Sequence, residues 1–319
     1  VNPHYGACCN PWSFDRISGG SSGGSAAALS AGLIFGSMGS DTGGSIRIPS
    51  ALCGTVGFKP TRGRISLRGV IPLSWTLDHA GPMARCVEDA ATLYQISSSY
   101  DPEDPFSINP PSGQASNQLS ADIKNWRVGI ASDEYFSKVD PEVLQAVSQA
   151  GEVFSELGAI VSETAFPGGR EAAEANGLIT VCEAAAIYHQ RMKDAPEGFG
   201  PDVFNRLKIG SRYNSRDYIQ ARKIQAELTR KFEQFFEKYE ILLTPTTPVA
   251  APKIKGPDAL EQARLLTRFT APFNLSGLPA ISIPCGFTQS GLPIGLQIAA
   301  GRWKDQEVLR AAYAYEQAC

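Results

Sequence analysis

Apolar residues recur at helical spacing in several stretches of the chain, most clearly over residues 215–239. Tyr218, Ala221, Ile224 and Leu228 lie about one helical turn apart there, followed by Phe232, Phe235 and Phe236. This spacing predicts an amphipathic helix whose apolar stripe packs in the core. The same reasoning predicts further helical stretches at 86–96, at 170–193, at 265–275 around Pro272, and from Asp305 to the end.

Short apolar runs between these helices predict strands. Residues 127–131 and 159–161 flank a helix that begins at Asp140 and Pro141 and ends at Gly158, and this strand–helix–strand order predicts parallel pairing. Residues 280–283 and 294–298 predict an antiparallel pair joined at Gly291, and 241–243 predicts another strand. The Pro-, Asp- and Ser-rich stretch 100–120 predicts an exposed loop.

The polar, glycine-rich run 19–61 differs from the rest of the chain. Its first cluster, 19–25, predicts a loop, followed by a helix over 26–31 with Ser25 as N-cap and a short buried strand over 33–38. In the second cluster, 41–45, the glycines leave consecutive N–H groups free to converge on an anionic oxygen beside a serine hydroxyl. The run therefore predicts a serine nucleophile next to its own oxyanion hole.

Two other interpretations of the glycine clusters are disfavoured. A flexible linker would not continue directly into an alanine-rich helix, an apolar strand and a second glycine cluster. A phosphate-binding loop would end in Gly-Lys-Ser/Thr or contain GxGxxG, and the sequence has neither.

The segments GGSSGGS, GSDTGGSIRIPSALCG and GFKPT, in that order, closely resemble the signature of the amidase signature family of serine amidohydrolases. The later segments LLTPTTP, NLSGLPAISIPCGF and GLPIGLQI also resemble parts of that family. The resemblance implies an α/β fold with a mixed, mostly parallel sheet covered by helices on both faces. Residues 170–240 match only loosely, and we expect them to shape the acyl pocket.

The resemblance also implies a role for each residue of the signature. Ser45 matches the nucleophile, and Ser21 matches a relay serine held after a cis Gly20–Ser21 bond, with the two hydroxyls in hydrogen-bonding reach. The oxyanion hole would consist of the N–H groups of Thr42, Gly43, Gly44 and Ser45. The supporting residues would be Ser22, Asp41 and Arg47.

The general base is the one part that the resemblance does not supply. The family uses a lysine, whose pKa burial lowers so that the neutral amine accepts a proton. That lysine lies upstream of the GGSS cluster, whereas here the first lysine is Lys59, at a position that the family uses as scaffold. We expect one amidase domain over 1–319 that lacks its N-terminal part and its base, with a signature core at 19–61 and the remaining sheet and pocket helices at 121–319. Lys59 as a replacement base is a minor alternative.

A second hydrolase type fits the first cluster formally. Gly19 to Gly23 matches GxSxG, the nucleophile elbow of α/β-hydrolases, which needs an apolar strand before it and a histidine later in the chain. Residues 11–18 are mixed rather than apolar, and His4, His79 and His189 are the chain's only histidines. We interpret His79 as structural.

Composition adds limits to these hypotheses. A net charge of −3 without a basic cluster gives no electrostatic reason for direct nucleic-acid binding. The seven scattered cysteines predict reduced thiols rather than a disulfide framework or a metal site, hence a cytoplasmic protein. No apolar run is long enough to span a membrane. A homodimer is left open.

These observations predict an amidohydrolase that cleaves a linear carboxylic amide through an acyl-enzyme on Ser45, with a small-molecule substrate and no metal or cofactor. One alternative is the glutaminase component of a tRNA-dependent amidotransferase. Another is an inactive fragment or a relative that binds ligands without turnover.

Overall fold

The computed structural model describes residues 4–109 and 119–319, which form two sheets and a set of packed helices. The strands are β1 Cys9–Asn10, β2 Ser13–Ile17, β3 Gly36–Ser40, β4 Val56–Lys59, β5 Ala80–Ala84, β6 Arg127–Ala131, β7 Ile160–Thr164, β8 Ile241–Pro245, β9 Ala280–Phe287 and β10 Pro293–Ala299. The α-helices are α1 Gly23–Ser30, α2 Arg47–Cys53, α3 Val87–Ser97, α4 Glu134–Ser137, α5 Pro141–Glu156, α6 Gly169–Ile187, α7 His189–Asp194, α8 Pro201–Gly210, α9 Ser215–Phe236, α10 Ala259–Leu265, α11 Ala271–Leu275 and α12 Asp305–Ala318.

The main sheet has eight strands in the order β3-β5-β4-β9-β10-β8-β6-β7, and β1 and β2 form a separate hairpin. The predicted α/β fold with a mixed sheet is confirmed, and strands from both sides of the 100–120 stretch belong to this one sheet. The expectation of a mostly parallel sheet is wrong. Of its seven strand pairs only β6–β7 and β6–β8 are parallel, because β9 and β10 are joined by a short turn and β5 runs back between β3 and β4.

Helices cover both faces of the sheet, as predicted. Successive side chains of a strand point to opposite faces. Ile241 and Leu243 therefore belong to the apolar layer that includes residues of α3, α5 and α12, whereas Leu242 belongs to the layer that includes residues of α6, α9 and α11. The predicted stripe of α9 lies in the second layer through residues such as Phe232 and Phe235. Two apolar layers therefore enclose the sheet, which fixes the loops at its edges.

Local signals in the sequence predicted several boundaries correctly. Asp140 caps α5 by accepting from the Glu142 N–H, Pro141 follows, and Gly158 takes a positive φ of 86° just beyond the helix. The predicted antiparallel pair is β9–β10, and Gly291 in its turn has a φ of 79°. The closing helix begins at Asp305.

The predictions around the first glycine cluster were partly wrong. Helix α1 begins at Gly23, so Ser25 lies inside the helix rather than capping it, and its hydroxyl accepts from Ser37. The predicted buried strand 33–38 is the edge strand β3, which begins three residues later, and Leu33 and Phe35 just before it are 76% and 82% exposed. An apolar run alone does not distinguish a core strand from an edge strand.

Other differences lie in the helices. The buried helix α2 was not predicted, and α8 is a further helix within the loosely matching region. The predicted helical stretch 265–275 is helical only over α11 and at its first residue, where α10 ends. Of the predicted loop 100–120, residues 110–118 lie outside the described residues.

One edge of the sheet collects the ends of several strands. Strands β3, β4 and β10 run in the same direction, since β5 and β9 are antiparallel to them, so all three end at this edge. The loop 41–46 follows β3 there, and residues 300–304 follow β10. The second glycine cluster is therefore held by the fold at the carboxyl end of the strand that precedes it.

Candidate active site

The two glycine clusters meet through their backbones. The Ser22 N–H donates to the Ser45 carbonyl at 3.1 Å, and the Gly20–Ser21 peptide bond just before it is cis, as the resemblance implied. Ser45 is half-buried, whereas Ser21 is exposed. Among the described residues neither hydroxyl takes part in a hydrogen bond, so the expected Ser21–Ser45 contact is not formed in this structure.

Four consecutive carbonyls of the loop 41–46 are tied to the surrounding fold. Asp41 C=O accepts from the backbone N–H of His79 (3.0 Å) and from the side chain of Asn274 (2.8 Å). The next three acceptors and their donors are Thr42 C=O with Asn176 Nδ2 (3.2 Å), Gly43 C=O with Thr270 Oγ1 (2.6 Å) and Gly44 C=O with Ile48 N (2.7 Å). These carbonyls thus face the protein.

The carbonyl anchors fix where the N–H groups point. In a trans peptide the N–H of the next residue points away from the carbonyl, so anchoring the carbonyls of Asp41, Thr42 and Gly44 turns the N–H groups of Thr42, Gly43 and Ser45 the other way. These three N–H groups donate to none of the residues described. They form a row of available donors beside the Ser45 hydroxyl, which is the arrangement an oxyanion hole needs.

Gly44 does not fit the role predicted for it. Its N–H donates to the Asp41 carboxylate at 2.7 Å, so the donor is already used. Gly44 is instead required for its shape: its φ is +133°, and a Cβ there would lie 2.2 Å from Thr270 Oγ1. Glycine at this position lets Thr270 reach the Gly43 carbonyl.

Asp41 and Arg47 form a fully buried pair beneath the loop. Arg47 donates through Nε and Nη2 to both carboxylate oxygens at 3.1 and 3.0 Å, and Asp41 also accepts from the backbone N–H of Ile46. The remaining Arg47 donors reach Thr270 C=O, Gln297 Oε1 and Asn274 Oδ1. Burial alone would raise the pKa of Asp41, but the charge and hydrogen bonds of Arg47 hold it well below its usual value.

A chain of hydrogen bonds joins the loop to helices α6 and α9. Thr42 Oγ1 donates to Asp78 at 2.6 Å, and Asp78 accepts from the Ser74 N–H. The Ser74 hydroxyl donates to Glu183, which also accepts from the Tyr218 hydroxyl. Burial raises the pKa of Asp78. The loosely matching region thus contacts the candidate site through polar groups.

The remaining supporting candidates have structural positions. Ser22 Oγ contacts the backbone of Ser40 at the end of β3 rather than either catalytic candidate. Lys59 is fully buried, and its Nζ donates to Leu278 C=O (2.5 Å) and Pro60 C=O (3.2 Å). Burial, followed by the nearby positive charge of Arg47, lowers the pKa of Lys59 well below its usual value. Lys59 makes no hydrogen bond to Ser21 or Ser45.

The α/β-hydrolase alternative lacks the histidine contact that it needs. His79 and His189 are the histidines that follow the first glycine cluster. His79 is buried, with Nδ1 2.7 Å from Leu77 C=O, and neither histidine is hydrogen-bonded to Ser21 or Ser45.

Residues 4–109 and 119–319 hold no group of three His, Cys, Asp or Glu side chains that could bind a metal ion. No helix of that same part of the chain could cross a membrane.

The sequence did not reveal the residues that hold the loop from a distance. Asn176 and Thr270 carry no motif, and only the fold brings α6 and the residue before α11 to the loop. Asn274 lies in the segment NLSG, which resembles the family and could have been examined as a partner of Asp41. Gln297 lies in GLQI, and its alternation with Leu296 and Ile298 placed a polar side chain on a buried strand.

Comparison with known proteins identifies relatives of this chain. A family model described as Amidase matches residues 1–309. The A subunit of glutamyl-tRNA(Gln) amidotransferase from Cyanothece sp. PCC 7425 is 38% identical over 99% of this chain and 71% of its own length, and that from Moorella thermoacetica is 38% identical over 97% and 68%.

Solved structures extend the likeness to the fold. The A subunit of the Thermotoga maritima glutamyl-tRNA(Gln) amidotransferase superposes with a TM-score of 0.85 at 34% identity, covering 98% of this chain and 69% of that one. A protein of a vestigial complex related to an s-triazine catabolic enzyme superposes with a TM-score of 0.91 at 31% identity, covering 99% and 70%. With its serine cluster, its row of free amides and these matches over nearly its whole length, the chain belongs to the amidase signature family.

Proposed function

We propose that the protein hydrolyses a linear carboxylic amide through an acyl-enzyme on Ser45. The observation that supports this most directly is the row of three unengaged N–H groups, from Thr42, Gly43 and Ser45, next to a serine hydroxyl without a hydrogen bond among the described residues. Loss of a single donor of this kind typically costs about 3–4 kcal/mol of transition-state stabilisation. A buried ion pair and four anchored carbonyls keep these donors oriented before substrate arrives.

The proposed reaction has an acylation stage and a hydrolysis stage. Ser45 Oγ forms a bond to the amide carbon while its proton passes through the Ser21 hydroxyl to a base. The carbonyl oxygen becomes negative within reach of the three N–H groups. The C–N bond then breaks, the amine leaves with the proton, and water cleaves the resulting ester to give a carboxylic acid. The Ser21–Ser45 contact would form when substrate binds.

We further propose that the base is a lysine from outside these 319 residues. Lys59 is the lysine of the signature core 19–61, and its Nζ already donates to two backbone carbonyls. Ser21 is exposed, and the nearby β3 is an edge strand. Its Met38 is an exposed apolar residue, as are Leu33 and Phe35 just before the strand. A segment paired with this edge would cover Ser21 and deliver an amine to it.

A fluorophosphonate probe tests the nucleophile. We expect the probe to label Ser45 in the wild-type protein and to fail on Ser45→Ala, while Ser25→Ala, from the same glycine-rich region, labels normally. Ser21→Ala should slow labelling without abolishing it, since it removes only the relay. Mass-spectrometric assignment of the label to another residue would reject Ser45 as the nucleophile.

The base is tested by comparing two proteins. Labelling of the isolated 319-residue chain should be at least about tenfold slower than labelling of a chain extended by its upstream coding sequence, because general base catalysis is missing. Equally fast labelling of both would show that the base lies within these 319 residues. Total loss of labelling in both would favour a relative that binds ligands without turnover.

A second candidate function comes from the curated relatives, which are named as A subunits of a glutamyl-tRNA(Gln) amidotransferase. In this case glutamine would be the amide and the ammonia would pass to a partner protein. Glutamine hydrolysis that rises when partner proteins co-purify would favour this function. Turnover of simple linear amides without partners would favour the amidase. For either function we propose a cytoplasmic location.

A further inference from the structure

Two arginines that the proposed chemistry does not use flank one glycine near the candidate site. Arg62 follows β4 and Arg302 follows β10, so both leave the sheet at the edge that also carries the loop 41–46. A Cβ built on Gly277 would lie 3.1 Å from Arg62 Cβ and 3.7 Å from Arg302 Nη2. Gly277 has a φ of +71°, and its lack of a side chain lets the stem of Arg62 and the guanidinium of Arg302 approach its backbone closely.

Neither arginine has a counter-ion. No carboxylate of the described residues lies within 4.0 Å of either guanidinium, and the undescribed stretches 1–3 and 110–118 contain no Asp or Glu. Arg302 makes no hydrogen bond to the part of the chain described, and the guanidinium of Arg62 donates only to Trp75 C=O there. The Nε atoms of both are buried without an acceptor. Buried guanidinium donors without partners are costly, so a ligand that accepts from them is favoured.

The charged groups around Arg62 add to this excess of unpaired positive charge. Burial lowers the pKa of Arg62, and the positive charges of Arg222 and Arg302 lower it further. The negative charges of Glu183 and Asp104 act in the opposite direction. Glu183 is already occupied by Ser74, Thr76 and Tyr218 and lies 3.6 Å from Arg222. Of Arg62 and these four charged groups that act on it, three are positive and two are negative.

The arginine pair is close to the candidate oxyanion hole. The Gly277 N–H donates to Asn274 C=O, and the Asn274 side chain donates to the Asp41 carbonyl and carboxylate. Two hydrogen-bonded steps thus separate the pair from the loop.

We propose that Arg62 and Arg302 form a binding site for an oxyanion, the carboxylate or phosphate group of a small-molecule ligand. The planar guanidinium presents paired donors that match such groups, and both arginines, held beside the same glycine, have a buried Nε without an acceptor. If the ligand is the amide substrate, this site would select substrates that carry an anionic group away from the scissile bond. The selection of an anionic substrate rests on the proposed function, whereas the binding of an oxyanion by the two arginines does not.

Calorimetric titration tests the site directly, with succinate and inorganic phosphate used separately at constant ionic strength. We expect saturable binding of at least one of them, weakened about tenfold or more in Arg302→Gln, which removes charge-assisted hydrogen bonds. Stronger binding of succinate would identify a carboxylate ligand, and stronger binding of phosphate would identify a phosphate ligand. Absence of saturable binding to the wild-type protein would overturn the proposal.

Arg310→Gln is the matched control. Arg310 also has a buried Nε without an acceptor, but it donates to Asp122 C=O, stacks over Trp126 and is not one of the arginines around Gly277. This variant should bind the anion as the wild type does. Equal weakening in both variants, or none in Arg302→Gln, would contradict the site. Arg302 makes no hydrogen bond to the described fold, so its variant should remain folded, which circular dichroism verifies.

A pair of amides tests the link to substrate on the catalytically competent protein. Succinamate carries a carboxylate, whereas butyramide does not, and we expect KM for succinamate to rise in Arg302→Gln with little change in kcat. Hydrolysis of both amides with unchanged KM would reject the substrate link, whereas a protein that binds succinate but does not label at Ser45 would reject only the proposed function.

Discussion

Two arginines, Arg47 fully buried and Arg302 partly buried, lie at the same edge of the sheet and differ in how completely their donors are used. Arg47 is fully buried, and its Nε, Nη1 and Nη2 atoms all donate to Asp41, Thr270, Gln297 or Asn274. Arg302, also at this edge, has a buried Nε without an acceptor and no ion pair among the described residues. The first environment is complete without a ligand, and the second is not.

The difference separates a structural role from a binding role. A saturated buried charge fixes the backbone around it, and here the Asp41–Arg47 pair fixes the loop whose amides face the candidate nucleophile. An unsaturated charge contributes little to the fold and is available to a ligand. Residue type and position alone would not have distinguished them, since both are arginines a few residues beyond strand ends.

The largest expected effect is that of Arg47→Met. Removing one partner of a buried pair leaves an uncompensated charge on Asp41, and such changes cost about 3–5 kcal/mol of unfolding free energy. Urea unfolding followed by circular dichroism would measure this loss. A decrease of less than about 1 kcal/mol, within the range of an ordinary surface substitution, would show that the pair does not anchor the loop.

The next effect concerns the anchors of the loop itself. Thr270→Val keeps the shape of the side chain but leaves the Gly43 carbonyl without its 2.6 Å donor, which should cost about 1–3 kcal/mol. The peptide between Gly43 and Gly44 lies between the two peptides that carry the unengaged N–H groups of Gly43 and Ser45. Its release should therefore also slow probe labelling of Ser45 in the competent protein. Stability and labelling rate are both measured on the same preparation.

Thr229→Val serves as the control for this prediction. Thr229 makes a similar hydrogen bond, to Gln225 C=O within α9, far along the chain from the loop. We expect it to leave the labelling rate unchanged. If Thr229→Val slowed labelling as much as Thr270→Val, the effect would be general destabilisation rather than loop positioning.

Many of the contacts that distinguish the two arginine environments and hold the loop could not be predicted from the sequence. Local signals placed α5, β9, β10 and α12, because caps, prolines and turn glycines act on their own neighbours. The signature also identified Ser21, Ser45 and the Asp41–Arg47 pair as candidates. Asn176 and Thr270 reach the loop from 134 and 227 residues away, and such contacts leave no local pattern.

The directions of the strands and the exposure of residues 33–38 were also predicted wrongly, because both depend on how separate segments pair. Residues 33–38 are largely apolar, yet Phe35 is exposed because β3 is the last strand of the sheet. The antiparallel arrangement of β3, β5 and β4 depends on pairings between segments, whose apolar content is the same in either direction. The Gly44 amide was misassigned because the sequence does not say which donor Asp41 occupies.

A smaller effect is expected from pH, through two buried aspartates with opposite pKa shifts. Asp41 has a pKa well below the ordinary 3.8, because Arg47 outweighs its burial, whereas burial raises the pKa of Asp78. Asp41 therefore contributes stability that is fully present above pH 3.8 and is lost as the pH falls toward its folded pKa. Asp78 lowers stability as the pH rises above 3.8 through its folded pKa.

Carboxyl carbon NMR of the folded protein would separate the two aspartates, with signals assigned through Asp41→Asn and Asp78→Asn. We expect the Asp78 signal to titrate above pH 3.8 and the Asp41 signal to stay that of a carboxylate well below it. Titration of Asp41 near its ordinary value would mean that Arg47 does not compensate its burial.

The smallest effect is expected from Arg302→Met without any ligand. Arg302 makes no hydrogen bond or ion pair with the described residues, so its replacement should change the unfolding free energy by no more than about 0.5 kcal/mol. The change should be toward stability, because the charge of Arg302 lowers the pKa of both Lys59 and Arg62, which means that it repels their charged forms. Urea unfolding of this variant, carried out in parallel with Arg47→Met, measures the change in unfolding free energy. A decrease of more than about 1.5 kcal/mol would show that Arg302, like Arg47, already has partners that hold it in the fold.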